Sequence, residues 1–361
     1  MQLLHSTQAH TGPIWSITTH ATLPLIATAS QDKTSKIYSL TSHHNLLTIL
    51  EKTHTRSVRS IAFKPPLDNF DLPVLAAGSF DSTISIWGID EPEFYADVES
   101  ESDHERIICD PNNEWNLMAL IEGHENEVKS VAWNHQGNLL ASCSRDKTVW
   151  IWETDQETLE EFECIAVLND HEHDVKYVCW HSTRNILASC SYDDTIRIYA
   201  EDDDDEFACV GVLNGHEGTV WSCAFENPAT PTDKIRLASV SDDLTVRVWV
   251  GTVPEHSDKQ LPSSIRHNKE MVWEQECILP QAHAFPIYSL SWSATTGKIA
   301  SCGSDGKIVV YKEVDGTWEV EATHEASHGV SEVNCILWGK LDDKEILITG
   351  GDDGCVNYWQ V

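Results

Sequence analysis

Basic residues are scarce in this chain of 361 residues. Lys and Arg together number 24 against 58 Asp and Glu, and the formal net charge at pH 7 is −34. A protein that binds nucleic-acid phosphates needs clustered Lys and Arg, and anionic membrane surfaces select the same residues. The composition therefore argues against direct nucleic-acid binding and against membrane docking, and it favours association with basic partners.

Long apolar runs are also missing. No stretch of the sequence approaches the roughly 20 apolar residues of a transmembrane helix, and the N-terminus lacks the pattern of a signal peptide. We therefore expect a soluble, intracellular protein.

The chain does contain one segment in seven copies. "ASCSRDKTVWIW" in the third copy returns as "ATASQDKTSKIY", "AAGSFDSTISIW", "ASCSYDDTIRIY", "ASVSDDLTVRVW", "ASCGSDGKIVVY" and "ITGGDDGCVNYW". Each copy has an Asp followed six residues later by Trp or Tyr, and a His lies 22 to 27 residues before that Asp. The runs between turn residues are short, rich in Val, Ile and Trp, and alternate with a period near two, which is typical of β-strands.

Units of four short strands with Gly-His and Trp-Asp-like dipeptides are similar to WD40 repeats. The resemblance predicts an all-β fold, a seven-bladed WD40 β-propeller that forms a single domain over residues 1–361. The seventh copy stops on its third strand, at residues 359–361. We expect the run near residues 2–6 to complete that last blade, so that the ring closes without an open strand edge.

The 11 cysteines follow the same repeat, and none of them forms a C-x-x-C pair. Cys143, Cys190 and Cys302 share one position in the second strand, and other sets share positions in the first and outer strands. Equivalent positions should lie far apart around the ring, so we expect buried free thiols in a reducing compartment, with no metal and no cofactor. Only Cys109 lies outside the pattern.

Ser, His and Asp occur together in every copy, which raises the hypothesis of a hydrolase triad. A nucleophile site is normally built once, whereas this set is built seven times. We therefore interpret it as a buried hydrogen-bond chain from aromatic ring to hydroxyl, imidazole and carboxylate. The residues assigned to this structural network are His124, Ser142, Asp146 and Trp152, His171, Ser189 and Asp193, and His216, Ser239, Asp243 and Trp249.

Two insertions interrupt the repeat. Residues 88–115 fall between the third and fourth strands of blade 2, and residues 250–272 occupy the same place in blade 5. Both are expected to be surface loops. Whether they are merely solvated or form an edge for partner docking stays open.

A propeller binds partners on its top face, near the central channel. Two positions per blade should reach that face: one flanks the first-strand Val or Ile after the His, and the other directly precedes the turn Asp. In blades 2 to 4 these positions place a basic cluster in an acidic chain, and Arg with aromatic neighbours is typical of an interface hot spot. The predicted partner-binding residues are Arg145, Arg59, Lys129 and Lys176 with Tyr192, Phe80, Trp15, Trp221 and Tyr288. We expect them to bind an acidic or carboxylate-ended aromatic peptide.

Copy by copy, the motifs "AAGSFDSTISIWG", "IEGHENEVKSVAW", "CSRDKTVWIWETD", "LNGHEGTVWS", "SVSDDLTVRVW" and "GGDDGCVNYW" resemble one family over all seven blades. It is the WD40 subunit of the cytosolic iron–sulfur protein assembly targeting complex, the CIAO-type propeller, and the chain looks like a fungal member. The two insertions look longer than in other members.

The resemblance implies a non-enzymatic scaffold without a cofactor of its own, in cytoplasm and nucleus. It implies a small MIP-type subunit, a HEAT-repeat scaffold subunit, a hydrogenase-like iron–sulfur carrier protein and apo iron–sulfur client proteins as partners. Within the family pattern, Arg145 of "S-R-D" is the residue we expect to matter most.

Fold alone does not decide function, and two other interpretations stay open. The first is a different WD40 adaptor, such as a ubiquitin-ligase substrate receptor or a chromatin-associated reader. The second is a hydrolase that uses one of the repeated Ser/His/Asp sets, in which case one blade should expose a reactive Ser.

Overall fold

The computed structural model describes the chain except residues 42–43, 90–99, 156–157, 160, 202–205, 229–233, 253–270 and 342–343. In the described part, 28 strands form seven four-stranded antiparallel sheets. The sheets are the seven blades of a propeller, and this confirms the fold predicted from the repeats. No helix among the described residues has the length and apolar composition needed to cross a bilayer.

The strand bounds follow the repeats. Blade 1 contains β2 (Ile14–Thr19), β3 (Leu25–Ser30), β4 (Ser35–Ser39) and β5 (Leu46–Leu50). Blade 2 contains β6 (Val58–Phe63), β7 (Val74–Ser79), β8 (Thr83–Ile89) and β9 (Trp115–Glu122), with helix α1 (Glu101–Ile108) between the last two strands. Blade 3 contains β10 (Val128–Trp133), β11 (Leu139–Ser144), β12 (Val149–Thr154) and β13 (Phe162–Leu168).

The remaining blades repeat this order. Blade 4 contains β14 (Val175–Trp180), β15 (Ile186–Ser191), β16 (Ile196–Glu201) and β17 (Phe207–Leu213). Blade 5 contains β18 (Val220–Phe225), β19 (Lys234–Ser241), β20 (Val246–Thr252) and β21 (Val272–Ile278). Blade 6 contains β22 (Ile287–Trp292), β23 (Ile299–Gly303), β24 (Ile308–Val314) and β25 (Thr317–His324). Blade 7 contains β26 (Val333–Leu341), β27 (Lys344–Gly351), β28 (Cys355–Gln360) and β1 (Gln2–Gln8).

Strand position within a blade explains strand composition. The second strand of a blade, such as "LLASCS" in β11, is buried at every residue because other strands cover both of its faces. The outermost strand, such as "FECIAVL" in β13, alternates between partly buried and exposed residues because one face meets solvent. First strands of successive blades contact one another around the channel, and apolar clusters fill the space between neighbouring blades.

The last blade takes strands from both ends of the chain. Strand β1 pairs antiparallel with β28, from Gln2 opposite Gln360 to Gln8 opposite Cys355. The predicted closure is confirmed, and the observed strand extends two residues beyond the expected run.

The blade 2 insertion differs from the expected loop. Residues 101–108 form α1, which begins after the N-cap Ser100, whose side chain accepts a hydrogen bond from the Asp103 N–H. Ile108 is buried against the apolar core shared by blades 1 and 2, and Cys109 packs beside it. An apolar residue on one face of a short helix therefore anchors this part of the insertion. Of the blade 5 insertion, residues 253–270 lie outside the described residues.

One expectation about the cysteines is wrong. Cys179 in β14 and Cys223 in β18 occupy equivalent positions in neighbouring blades, yet their Sγ atoms lie 3.4 Å apart. First strands surround a narrow channel, so equivalent side chains of adjacent blades meet there. All 11 cysteines are free thiols, and no group of three or more His, Cys, Asp or Glu side chains in the described ranges is arranged to hold a metal ion.

Candidate functional site

Behind the turn that joins the second and third strands, a His contacts the turn Asp and a hydroxyl in each blade, and in blades 2, 3, 5 and 7 a Trp indole N–H completes a chain of four side chains. In blades 1, 4 and 6 the aromatic residue is Tyr, and Tyr38 Oη donates instead to the Ala9 carbonyl oxygen. In blade 3, His124 Nδ1 lies 2.8 Å from Asp146 Oδ2, and His124 Nε2 lies 2.8 Å from Ser142 Oγ. The indole N–H of Trp152 donates to the same Ser142 Oγ at 2.9 Å. The corresponding pairs are His171–Asp193 and His171–Ser189 in blade 4, and His216–Asp243, His216–Ser239 and Trp249–Ser239 in blade 5.

The turn itself explains why Asp is required. Asp146 Oδ1 accepts from the Thr148 N–H, so the carboxylate caps the turn while its other oxygen contacts the imidazole. Lys147, between these two residues, has a φ of 75°, and the equivalent positions in blades 6 and 7 are glycine. Burial raises the pKa of Asp146, but hydrogen bonds from His124 and Thr148 outweigh burial and lower that pKa to about 2. The carboxylate is therefore ionised at neutral pH.

Blade 2 reaches the same chemistry by a different residue. Its second strand has Ala77 where other blades have a hydroxyl. Ser85 on the third strand takes over, because its Oγ lies 2.8 Å from His54 Nε2 and accepts the Trp87 indole N–H at 2.8 Å. The repeat pattern did not reveal this substitution, since Ser85 stands at a position that is not Ser in the other copies.

Burial separates this network from a triad. The Ser142 side chain is 0% exposed, and its hydroxyl is held between an imidazole and an indole. The equivalent Ser189, Ser239 and Ser301 are equally buried. A hydroxyl that no substrate can reach is not a nucleophile, so these sets fasten a turn to its strands.

The residue before each turn Asp lies at the top face, outside the buried network. Its N–H donates to a carbonyl at the start of the first strand, for example Arg145 N to Glu127 O at 3.0 Å and Tyr192 N to Asp174 O at 2.9 Å. These bonds place its side chain beside the first-strand residue that faces the channel. Arg145 and Tyr192 are both 57% exposed.

Four basic side chains from consecutive blades 2, 3 and 4 form a cationic arc at the top face: Arg59, Lys129, Arg145 and Lys176. Aromatic rings support them. Lys129 Nζ lies 4.2 Å from the Phe80 ring centroid, and Lys176 Nζ lies 5.2 Å from the Tyr192 centroid and 5.3 Å from the Trp221 centroid. Such contacts stabilise a cation without neutralising it.

Two carboxylates that sequence reasoning missed lie within the arc. Glu127 Oε2 lies 2.6 Å from Lys129 Nζ, and Asp174 Oδ2 lies 3.4 Å from Lys176 Nζ. Each acid stands two residues before its lysine, so strand periodicity places both side chains on one face. This spacing was the signal available in the sequence.

Arg56, which sequence reasoning also missed, crosses from blade 2 to blade 3. Its Nη2 donates to Glu127 Oε1 at 2.7 Å. Burial raises the pKa of Glu127, but hydrogen bonds from Lys129 and Arg56 outweigh it and hold the pKa below its usual value. Arg145 is paired less closely, at 3.9 Å from both Glu127 Oε1 and Asp174 Oδ2.

The inner side of the arc forms the channel mouth. It opens into a cavity of about 280 Å³, and its rim consists of Trp15, Arg59, Lys129, Lys176, Trp221, Tyr288 and Asn334. Arg59 stacks on Trp15 with 5.2 Å between the guanidinium carbon and the ring centroid, and Trp221 meets Tyr288 edge to face at 5.4 Å. The structure thus brings all nine predicted partner-binding residues into one region.

The opposite side of the top face is acidic. In blade 5 the Trp221 indole N–H donates to Asp242 Oδ1 at 2.5 Å, and in blade 7 Asn334 Nδ2 donates to Asp352 Oδ1 at 2.9 Å. Asp242 and Asp352 stand where blade 3 has Arg145. The top face therefore carries positive charge on blades 2 to 4 and negative charge on blades 5 and 7.

Comparison with known proteins agrees with the fold. The family described as WD domain, G-beta repeat matches residues 1–39, 45–88, 115–153, 162–200, 207–250 and 274–312. The seventh sheet of the structure falls largely outside these matches.

Curated relatives match the chain from end to end. A protein of Candida dubliniensis named "Probable cytosolic iron-sulfur protein assembly protein 1" is 61% identical, over 100% of both chains. Relatives of the same name are 60% identical in Candida albicans, over 100% of both chains, and 45% identical in Kluyveromyces lactis, over 100% of this chain and 98% of the relative. The chain belongs to the cytosolic iron–sulfur protein assembly protein 1 family. The chain contains WD40 repeats, and a propeller whose relatives are named as assembly proteins is typical of a non-catalytic scaffold.

Proposed function

We propose that this member of the family is a non-enzymatic scaffold that helps deliver iron–sulfur clusters to cytosolic and nuclear apo-proteins. The cluster is cargo and is not a resident cofactor of this chain. The observation that carries the proposal is the cationic arc, a group of four basic side chains on one face of a chain with a net charge of −34. A local positive potential in such a chain selects a negatively charged partner segment.

The arc has the composition of a protein-interaction site. Arg145 and the neighbouring Tyr192 are exposed, whereas the side chains of Lys129 and Lys176 are each 13% exposed and contact the rings of Phe80 and Trp221. A forked guanidinium suits a carboxylate, and the surrounding aromatic rings offer apolar contact area. An acidic or carboxylate-ended aromatic peptide from a client or adaptor fits this chemistry.

The assembly partners in this proposal are the small MIP-type subunit, the HEAT-repeat scaffold subunit and the hydrogenase-like iron–sulfur carrier protein. Support for an assembly role comes from the names of the relatives of this chain, which describe the relatives as cytosolic iron-sulfur protein assembly proteins. Direct nucleic-acid binding is not part of the proposal, because the arc is small and contains Glu127 and Asp174.

The first test is complex formation. The purified chain is mixed with the small MIP-type subunit of the same organism in reducing, metal-free buffer, and the mixture is analysed by size-exclusion chromatography with light scattering. A co-eluting complex supports the scaffold function. A folded chain that elutes alone contradicts the assembly role and leaves an acidic WD40 adaptor with other clients.

The second test addresses the arc through client capture. Arg145→Glu is compared with Arg106→Glu, a matched control because Arg106 lies on α1 with its side chain 74% exposed and is not part of the arc. We expect Arg145→Glu to reduce capture of apo iron–sulfur clients at least tenfold, and Arg106→Glu to leave it unchanged. Full capture by Arg145→Glu would refute the role of the arc.

A further inference from the structure

Arg59 differs from the other cations of the arc in having no acidic partner. Lys129 is paired with Glu127, Lys176 with Asp174, and Arg145 lies near both carboxylates. Across the described ranges, no Asp or Glu lies within ion-pair distance of Arg59; its Nη1 donates to the Trp15 carbonyl oxygen at 3.1 Å. A guanidinium has five N–H donors, so most of its hydrogen-bonding capacity is not used by this contact.

Arg59 is partly buried, and burial lowers its pKa from the usual value. Two further cations face it, since Lys176 and Arg59 both act to lower the pKa of Lys129. A charge that is removed from water without a counter-charge destabilises a fold. Among these three cations, Arg59 has no acidic partner in the described residues, so a positive charge at the cavity stays without a counter-charge.

The cavity below the channel mouth has the matching composition. Arg59, Lys129 and Lys176 line it, and none of the described residues that line it is Asp or Glu. This is unexpected in a chain with 58 acidic residues. Trp15 lines the same cavity, and its buried indole N–H has no acceptor among the described residues. The three cations and the Trp15 indole N–H are all hydrogen-bond donors. A ligand for this cavity therefore has to supply hydrogen-bond acceptors.

We propose that this cavity binds a small oxyanion, held by the Arg59 guanidinium and flanked by the ammonium groups of Lys129 and Lys176. A cavity of about 280 Å³ lies just below the usual range of ligand-site volumes, which starts at about 300 Å³. Its size therefore suits inorganic phosphate or a short dicarboxylate. The site uses the three inner residues of the cationic arc and not the exposed Arg145, and anion binding there does not require the scaffold function.

The oxyanion has two possible sources, a soluble anion or an acidic side chain of a docked protein. Binding to the unmodified chain is measured by isothermal titration calorimetry with inorganic phosphate, with succinate, with neutral succinamide, and with acetyl-tetraglutamate amide. All titrations use equal ionic strength in chloride, because salt screens exposed charges. We expect succinate or phosphate to bind and succinamide not to bind.

Three variants locate the site. Arg59→Met should weaken anion binding at least tenfold, Lys129→Met should weaken it less, and Arg106→Met, on the exposed face of α1, should leave it within twofold. Thermal unfolding without anion checks that each variant is folded, and Lys129→Met tests the site if Arg59→Met does not fold. Binding of only the glutamate peptide, lost in Arg59→Met, would support the site and assign the carboxylate to a protein partner.

Two results would overturn the proposal. One is the absence of binding by any of the charged probes to the unmodified chain. The other is equal affinity of unmodified chain and Arg59→Met. Full client capture by Arg145→Glu, together with anion binding by the unmodified chain, would overturn the role of the arc in client binding alone, so the two proposals can fail separately.

Discussion

Adjacent residues in this propeller do different jobs. Asp146 is 9% exposed and belongs to a hydrogen-bonded set that recurs in all seven blades, whereas Arg145, its neighbour in the chain, is 57% exposed. The position of Arg145 holds Gln31, Phe80, Tyr192, Asp242, Ser304 or Asp352 in the other blades. Repetition within one chain thus separates the two roles: the repeated position builds the fold, and the varied position distinguishes one blade from the next.

The largest effect is expected from breaking a repeated position. Asp146→Ala leaves the His124 imidazole and the Thr148 N–H without their acceptor, and removing one member of a buried hydrogen-bonded pair lowers the free energy of unfolding by about 3 kcal/mol. Urea denaturation measures this change. Arg145→Ala is the control and should alter the free energy of unfolding by less than about 0.5 kcal/mol. Equal losses in both variants would contradict the separation of roles.

Blade 2 allows a smaller and more specific change. Ser85→Ala removes the hydroxyl that joins His54 and Trp87, and leaving these two buried groups unpaired lowers the free energy of unfolding by about 2 kcal/mol. The double variant Ala77→Ser with Ser85→Ala returns the hydroxyl to the strand used by the other blades. It should recover part of the loss in the same denaturation experiment. If no stability is recovered, blade 2 requires its hydroxyl on the third strand, and a hydroxyl on the second strand cannot replace it.

A fall in pH should lower the free energy of unfolding before it changes the charge of the basic residues in the cationic arc. Burial lowers the pKa of His20 and of His181 from 6.5 to about 4. Below pH 6.5 these two histidines therefore bind protons in the unfolded chain but not in the folded chain. Their contribution to the free energy of unfolding is complete above pH 6.5 and is lost as the pH falls towards 4. The slope is at most about 1.4 kcal/mol per pH unit for each histidine.

Chemical denaturation between pH 7.5 and 4.5 measures that slope. His181→Asn keeps a polar side chain near the Thr183 N–H and should reduce the slope by the share of one histidine. Client capture at pH 6 should remain, because Arg and Lys stay charged there. A free energy of unfolding that does not change between pH 6.5 and 4.5 would refute the prediction.

The smallest effect on stability is expected from moving a varied residue between blades. Arg145→Asp gives blade 3 the residue that blade 7 has at Asp352. The free energy of unfolding should change by less than about 0.5 kcal/mol, because the side chain is exposed. Client capture should still fall at least tenfold. Ser304→Asp in blade 6 is the matched control and should affect neither quantity.

The repeat made much of the fold predictable. Seven copies of one spacing predicted seven sheets, the closing strand and the His–Ser–Asp chains, because these contacts lie within one unit and return with its period. Contacts between different repeats were harder to predict from the sequence. The distance between Cys179 and Cys223 depends on the width of the channel, and the packing of Ile108 depends on the shape of a neighbouring blade.

The candidate site followed the same rule. Its nine residues could be placed on one face, because their positions relative to the turn Asp are fixed by the strand pairing. The acids beside them were overlooked, although Glu127 and Asp174 have equally regular positions. The sequence could not reveal that Arg59 has no acidic partner among the described residues, because this depends on which side chains of other blades reach the channel.

The pairing of β1 with β28 has a consequence for biosynthesis. Strand β1 is synthesised before the other strands of the ring and has no partner until β28 follows, so the ring cannot close before blade 7 has been synthesised. Until then, the edge of β1 that pairs with β28 is open to pairing with other chains. The same pairing brings the first and last strands side by side. A circular permutant that joins them with a short linker and opens an exposed loop elsewhere would carry the closing blade as one continuous segment.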